Sequence, residues 1–303
     1  MNNIVEYFYK IKPQNMIKIG INYRFEYNNE IYYFEIYNQN SDIEKNISIF
    51  ENINTIKPLL NEIILNKDKE YITKIDNIPY YLYKLNINEN IKLKLADISY
   101  LSNVNINTSN LKTVNNWSDL WEQRIDYHER QINEMGKKYP LLVESFNYYA
   151  SLTETAISYI KNTILEEQPT ILDINILSHR HISNNLNIKD LYNPANFIAD
   201  HKARDVSEYI KKSFINGNKN IYKEINEYFK IHYFSSYGAR LLMGRLLYPS
   251  YYFEVYDEIF LGQEKEKKIT EIISKVDEYE LFLKKIHLYL LKNYHIPEIE
   301  WLK

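Results

Sequence analysis

The spacing of apolar residues changes once along this chain, near residue 90, and that change limits the folds open to it. Before it, apolar side chains recur every second residue, which buries one face of a strand. After it they recur at +3 and +4, which buries one stripe of a helix. A β-rich lobe over residues 1–87 and a helical lobe over residues 88–303 are therefore expected, an α+β chain in two lobes. With 303 residues there is enough chain to give each lobe a core.

In the first part, Ile19, Ile21, Tyr23, Phe25 and Tyr27 alternate with Gly20, Asn22, Arg24 and Glu26, which predicts a single strand with the apolar set buried. Asn28-Asn29 supplies a turn, because Asn tolerates positive φ, and EIYYFEIYN (30–38) returns as the partner strand. Residues 47–65 read as a helix interrupted near Pro58, and residues 71–86 as a second hairpin turning at Asp76-Asn77. In the second part, Trp121, Ile125, His128, Ile132 and Met135 form a helical stripe between an N-cap at Asn116 and a stop at Gly136. A helix follows Pro140, with Val143, Phe146, Ala150, Ile157, Ile160 and Ile164 on one face. Residues 204–214 and 220–233 give two more, parted by Asn216-Gly217, and a further pair meets at Pro249. Near the end, Ile269, Ile272, Val276, Tyr279, Leu283, Ile286 and Leu290 have the spacing of a coiled-coil seam. The stripe is short, and packing on the chain's own core is the expected use.

Composition removes several functions. With 37 basic and 40 acidic side chains, charge gives no reason to expect nucleic acid as a partner. There are no cysteines, so disulfides, thiol catalysis and thiolate metal sites are excluded. No run approaches the length of a membrane span, and MNNIVEYFYKIKP lacks the pattern of a signal peptide. Thirty tyrosines stand against 12 phenylalanines. AT-rich codons account for that excess together with the abundant Asn, Ile and Lys; oxidative cross-linking of surface tyrosines is the sharper alternative. Tyrosine also fills half-buried positions readily.

Two groups of residues suggest chemistry. His179 and His181, in LSHRHISNN (177–185), would share one face of a strand, and with His201 or Asp200 they would form a metal site. No HExxH accompanies them, and hydrogen bonding to backbone is the expected role. Arg240 and Arg245 lie on one helix and would suit a phosphorylated ligand, although pairing with buried acids is the commoner use. Trp117 and Trp121 read as core.

The element order resembles the protein-kinase-like fold. LKLADISYLS stands where small-molecule kinases of the aminoglycoside phosphotransferase type have their first C-lobe helix, and LSHRHISNN stands where they carry the loop HxDxxxxN. WSDLWEQRIDYHE, SFNYYASLTETAISYI, ADHKARDVSEYI, ARLLMGRLLYPSYYFE and IPEIEWL together resemble the bacterial spore coat proteins of the CotS/YutH group. The resemblance covers most of the chain from about residue 115. It implies a two-lobed protein-kinase-like fold with a degenerate catalytic loop at 177–205. It also implies synthesis in the mother-cell cytoplasm and recruitment to the spore coat by other coat proteins.

The residues that phosphoryl transfer needs can be followed through that resemblance. Placing His179 on the histidine of HxD puts His181 where the catalytic Asp belongs, and an imidazole offers a hard cation no negative charge. The loop Asn falls on Leu186; Asn184 and Asn185 are nearby but out of register. Asp205 matches the structural Asp that holds the loop. The metal-binding Asp falls on Asn196, whereas a register shifted by four would make Asp200 the ligand. Gly20 is the only glycine before residue 136, Arg24 is the only base between Ile19 and Glu44, and EIYYFEIYN carries no lysine to meet a phosphate. The expectation is a structural coat protein without phosphotransfer and without a cofactor. One alternative is an atypical phosphotransferase using Mg·ATP, in which Asp200 holds the Mg²⁺ and His181 or a displaced acid is the base. Another is a sensor that binds a nucleotide or sugar between the lobes, which requires a cleft not filled by side chains.

Overall fold

Alternating side chains build the first lobe. The computed structural model describes residues 1–303 except 38–41, 50–52, 54–55 and 105. Helix α1 (Asn2–Tyr9) is followed by β1 (Gln14–Ile19), β2 (Asn22–Tyr27), β3 (Glu30–Ile36), α2 (Ile43–Ser48), β4 (Glu62–Ile64), β5 (Thr73–Ile75) and β6 (Ile78–Lys84). The strands form one antiparallel sheet in the order β1-β2-β3-β6-β4, with β5 also on β6. Strand β3 divides its residues between two cores. Tyr32 and Phe34 join Val5, Tyr9, Phe25, Tyr80 and Leu82 beneath α1. Tyr33 takes the opposite face, with Tyr37, Ile43, Tyr81 and Tyr83. Both expected turns form: Asn28 and Asn29 have φ of 51° and 64°, and Asp76 and Asn77 have 49° and 65°.

Two expectations for this lobe need correction. Residues 19–27 are not one strand. Gly20, at φ +59°, turns the chain with Ile21 between β1 and β2, leaving Ile19 and Ile21 47% and 42% exposed. Residues 47–65 are not one interrupted helix either. The α2 helix ends at Ser48, Pro58 lies in a single 3₁₀ turn, and Glu62–Ile64 forms the edge strand beside β6. Short apolar runs do not distinguish strand from helix, and here pairing with β6 decides. Residues 50–52 and 54–55 of the expected helix, and residue 38 of the expected strand, lie outside the described residues.

The second lobe contains α3 (Leu95–Ser102), α4 (Trp117–Met135), α5 (Pro140–Glu166), β7 (Asn175–His179), β8 (Phe197–His201), α6 (Ala203–Ile215), α7 (Ile221–Ile231), α8 (Ser236–Leu247), α9 (Ser250–Phe260), α10 (Lys268–Ile273) and α11 (Val276–Tyr294). Helix α5 packs on α4 and α8, and α8 packs on α6. The expected faces are buried at their centres: Trp121, Ile125 and His128 on α4, and Phe146, Ala150, Ile157 and Ile160 on α5. They are exposed at their ends, at Met135, Val143 and Ile164. Asn116 stands at the N-cap of α4 without a side-chain cap bond, and Gly136 ends the helix at a right-handed φ of −60°. The late stripe is core. Ile269, Ile272, Tyr279, Leu283, Ile286 and Leu290 are buried, and the chain breaks between α10 and α11. Among the described residues no helix is long and apolar enough to cross a membrane.

Candidate functional site

Strands β7 and β8 form a two-stranded antiparallel ribbon with His179 opposite Phe197, and residues 180–196 loop out from it toward the first lobe. The ribbon is anchored from α6. Asp205 Oδ1 accepts from the His179 backbone N–H at 3.0 Å, and its Oδ2 lies 2.7 Å from His179 Nδ1. His179 Nε2 lies 2.9 Å from the Leu191 carbonyl oxygen. Both ring nitrogens thus face oxygens of the protein itself, and neither is turned toward a metal. Arg204, one residue before Asp205, donates to the carbonyls of His179 and Arg180 at 2.8 and 3.0 Å and pairs with Asp200 at 2.8 Å. Asp200 is fully buried. Its oxygens also accept from Trp117 Nε1 at 2.9 Å and from the His201 N–H at 2.7 Å. The Asp200 carboxylate is thus occupied by a guanidinium, an indole and an amide. It is an anchor of α4 and α6 rather than an acid presented to the loop.

The tip of the loop is organised by amides. Asn196, just before β8, accepts from the His181 N–H at 2.9 Å, and its Nδ2 donates to the carbonyls of His181 and Asp190. Both ends of the Asn196 amide therefore hold the backbone at His181. The His181 ring is exposed, with Glu254 3.8 Å from Nδ1. Asn185 is exposed and accepts from Ser183. Leu186 has a left-handed φ of 51° and buries its side chain in the core. His201 turns away to Asp173, at 3.2 Å. The histidines and Asp200, a possible metal set in the sequence, thus do not converge. Among the described residues no group of three or more histidines or carboxylates is placed to hold a metal ion.

Between the loop and the sheet, side chains from both sides meet. Tyr33 stacks on Tyr83 with ring centroids 5.5 Å apart, and Tyr83 stacks on Tyr81 at 5.4 Å. Tyr81 and Tyr83 donate to Glu35 at 3.0 and 2.8 Å. From the loop, Lys189 Nζ reaches Glu35 at 3.2 Å, Asp190 at 3.3 Å and the Tyr83 hydroxyl at 3.1 Å, and lies 4.7 Å from the Tyr33 ring. Asn193 donates to Tyr81 at 2.8 Å. Burial alone would lower the Lys189 pKa, but Glu35 and Asp190 outweigh it and hold the ammonium above its ordinary value. Burial and the Glu35 charge push Tyr81 and Tyr83 well above the usual phenol range. Arg24, cross-strand from Tyr33, pairs with Glu89 at 2.7 Å, and Glu89 also accepts from Tyr33 at 2.7 Å. The inward face of the sheet thus carries a carboxylate, three phenols and a guanidinium already paired.

Sequence reasoning did not single out Glu35, Lys189, Asp190 or the three tyrosines. A signal was present, since the alternation in EIYYFEIYN sets Glu35 on the same buried face as Tyr33. A carboxylate on such a face requires a cation from elsewhere. Nothing local identifies Lys189, which is 154 residues away. Arg240 pairs with Glu166 and Glu167, and Arg245 with Glu208, so both serve in ion pairs.

Comparisons with known proteins agree with this layout. Endospore coat-associated protein YutH of Bacillus subtilis (strain 168) is 28% identical over 212 residues. The match covers 62% of this chain and 62% of that relative, less than two thirds of its length. The AMP-bound complex of spectinomycin phosphotransferase APH(9)-Ia superposes with a TM-score of 0.57 at 13% identity, over 91% of this chain and 94% of that one. An aminoglycoside phosphotransferase of Alicyclobacillus acidocaldarius gives 0.55 at 8% identity, over 92% and 93%. Identities this low show the fold alone, the two-lobed kinase-like α+β fold. The family model described as "Spore coat putative kinase YutH" matches residues 2–286, nearly the whole chain, and the protein belongs to that family.

Proposed function

We propose that this protein is a non-catalytic, kinase-fold component of the endospore coat, held there by contacts with other coat proteins. The observation that carries this reading is the side-chain network between the lobes, where Tyr33, Tyr81 and Tyr83 close around the Glu35–Lys189 pair. The residues present do not suit Mg·ATP. Glu35 puts a negative charge on the strand where a phosphate-binding lysine would stand. Arg24 is paired with Glu89, and Asn196 has both amide ends on backbone. A neutral amide and an exposed imidazole offer a magnesium ion no carboxylate. Asp200, the remaining candidate ligand, is held by Arg204 and Trp117. Association with the coat is carried over from the family and from the Bacillus subtilis relative.

The test is thermal unfolding of the purified protein with and without millimolar Mg·ATP, alongside a fluorescent fusion followed through sporulation. A ligand present at 100 times its Kd adds about 2.7 kcal/mol, a visible shift. No shift, with the fusion on the forespore surface, is expected. A Mg²⁺-dependent shift, or a fusion that stays dispersed, overturns the proposal.

A further inference from the structure

The β7–β8 ribbon has a second end, away from the loop, where Asn175 lies opposite His201. Two segments run side by side there: residues 164–174, which leave α5 and enter β7, and residues 231–236, which join α7 to α8. Ser235 donates to Asp173 at 2.6 Å and Ser236 to Glu167 at 3.1 Å, and these bonds tie the segments together. Among the described residues, seven large apolar side chains are more than 60% exposed, and five of them lie on these segments: Leu165, Ile171, Ile174, Ile231 and Tyr233. Single exposed apolar residues are ordinary on a protein surface, whereas a group of them marks an interaction site.

The turn that presents Ile171 has its polarity inverted. Residues Ile171–Asp173 form a 3₁₀ turn capped by Thr170, whose backbone N–H and hydroxyl donate to Asp173 Oδ2 at 2.7 and 2.8 Å. The Asp173 side chain is fully buried, with the Ser235 hydroxyl on it and His201 Nε2 at 3.2 Å. A surface turn ordinarily leaves its carboxylate in water and turns its apolar groups inward. Here the carboxylate points inward, and its bonds hold Ile171 and Leu172 out in water. Such exposure is unfavourable in the isolated chain and is relieved when another apolar surface covers it.

The charges around this surface cancel. Glu166 and Glu167 pair with Arg240, Asp173 is held as described, Lys202 donates to the Tyr233 carbonyl, and Lys230 stands exposed beside Ile231. Three carboxylates thus accompany three cations. A surface of one sign repels its own copy, and a neutral one does not. Nor is there the cationic surplus that draws a protein to anionic lipid. Leu165, Ile171, Leu172, Ile174, Ile231 and Tyr233 together expose on the order of 700 Å², more than the roughly 300–600 Å² of the largest patch on an ordinary monomer and close to the ~800 Å² that each partner buries in a stable interface.

We infer that this surface is the interface of a two-fold dimer of this chain, each copy laying Ile171 and Tyr233 against the same surface of the other. The inference goes beyond a place in the coat and does not depend on it, because the surface lies outside both the loop and the contact between the lobes.

Sedimentation equilibrium of the full chain between about 1 and 100 µM is the test. A reversible monomer–dimer equilibrium is expected, and it should persist at high salt because no net charge holds it. Ile171→Asp and Tyr233→Asp, each checked for fold by circular dichroism, should each raise the dissociation constant at least tenfold. Leu261→Asp, at an equally exposed position beyond α9 and toward the other end of α5, should leave it unchanged. Should an Asp variant unfold, the milder Ile171→Ser and Tyr233→Ser take its place. A chain that stays monomeric at about 100 µM overturns the inference. So does a dimer that the substitutions at 171 and 233 leave intact, or that Leu261→Asp weakens equally. Flotation with vesicles of anionic phospholipid is the remaining arm: binding that Ile171→Asp abolishes assigns the surface to lipid and likewise overturns the dimer.

Discussion

Replacing Lys189 with methionine tests the contact that joins the lobes. Its ammonium lies 3.2 Å from Glu35 and 3.3 Å from Asp190, so removing it leaves two carboxylates within about 6.5 Å of each other with no cation between them. The Lys189 and Glu35 side chains are 16% and 15% exposed, which puts the pair in the nearly buried class. Removing one partner of a buried pair costs about 3–5 kcal/mol. Glu35 keeps the Tyr81 and Tyr83 hydroxyls, and Asp190 keeps the Ser183 N–H, so part of that loss is recovered. A net destabilisation of about 2–4 kcal/mol is expected from equilibrium unfolding in urea. The double variant Lys189→Met with Glu35→Gln removes the stranded charge and recovers about half of it. A loss below about 1 kcal/mol, or a double variant no more stable than Lys189→Met alone, refutes the claim that this pair fixes the interlobe contact.

Other outcomes follow from the same geometry. Asn196→Asp supplies the acid that the family resemblance places there but removes the donor to the carbonyls of His181 and Asp190. It should lose about 2–3 kcal/mol and gain no Mg·ATP binding; a magnesium-dependent thermal shift in this variant would contradict the reading. The tyrosines predict weakness in alkali. Burial pushes Tyr9 and Tyr192 to about 12 and Tyr251 and Tyr279 well above 10. A folded-state pKa above the unfolded value adds stability that is present below pH 10 and is lost as pH rises toward 12. Absorbance at 295 nm should therefore show these phenols ionising together with unfolding, and smooth ionisation near pH 10 with the fold intact would count against their burial. Gly244→Ala places a Cβ 2.5 Å from Ile160 Cδ1, where α8 meets α5. Overpacking costs about 1–3 kcal/mol against about 1 kcal/mol of gained helix propensity, so a net loss near 1 kcal/mol is expected, relieved by Ile160→Val.

The sequence by itself determined the lobes' secondary structure where the pattern was long or the turn chemistry specific. The Asn28-Asn29 and Asp76-Asn77 turns, the α4 and α5 faces and the late apolar stripe all rest on local rules, periodicity and positive-φ tolerance, that need no distant partner. Residues 47–65 failed because their apolar spacing suits either element and β6, far along the chain, decided it. The residues that the resemblance sets at the kinase positions, His181, Leu186 and Asn196, are likewise read directly from the sequence. Only the tertiary structure decided what surrounds them. Glu35 meets Lys189 across 154 residues, and Arg204 joins Asp200 to the loop carbonyls while Asp205 beside it holds His179. The exposed apolar surface gathers side chains from α5, the turn after it and the end of α7. Such groupings depend on which faces the packed core turns toward one another, and a one-dimensional pattern carries the identity of each charge but not the neighbour that will neutralise it.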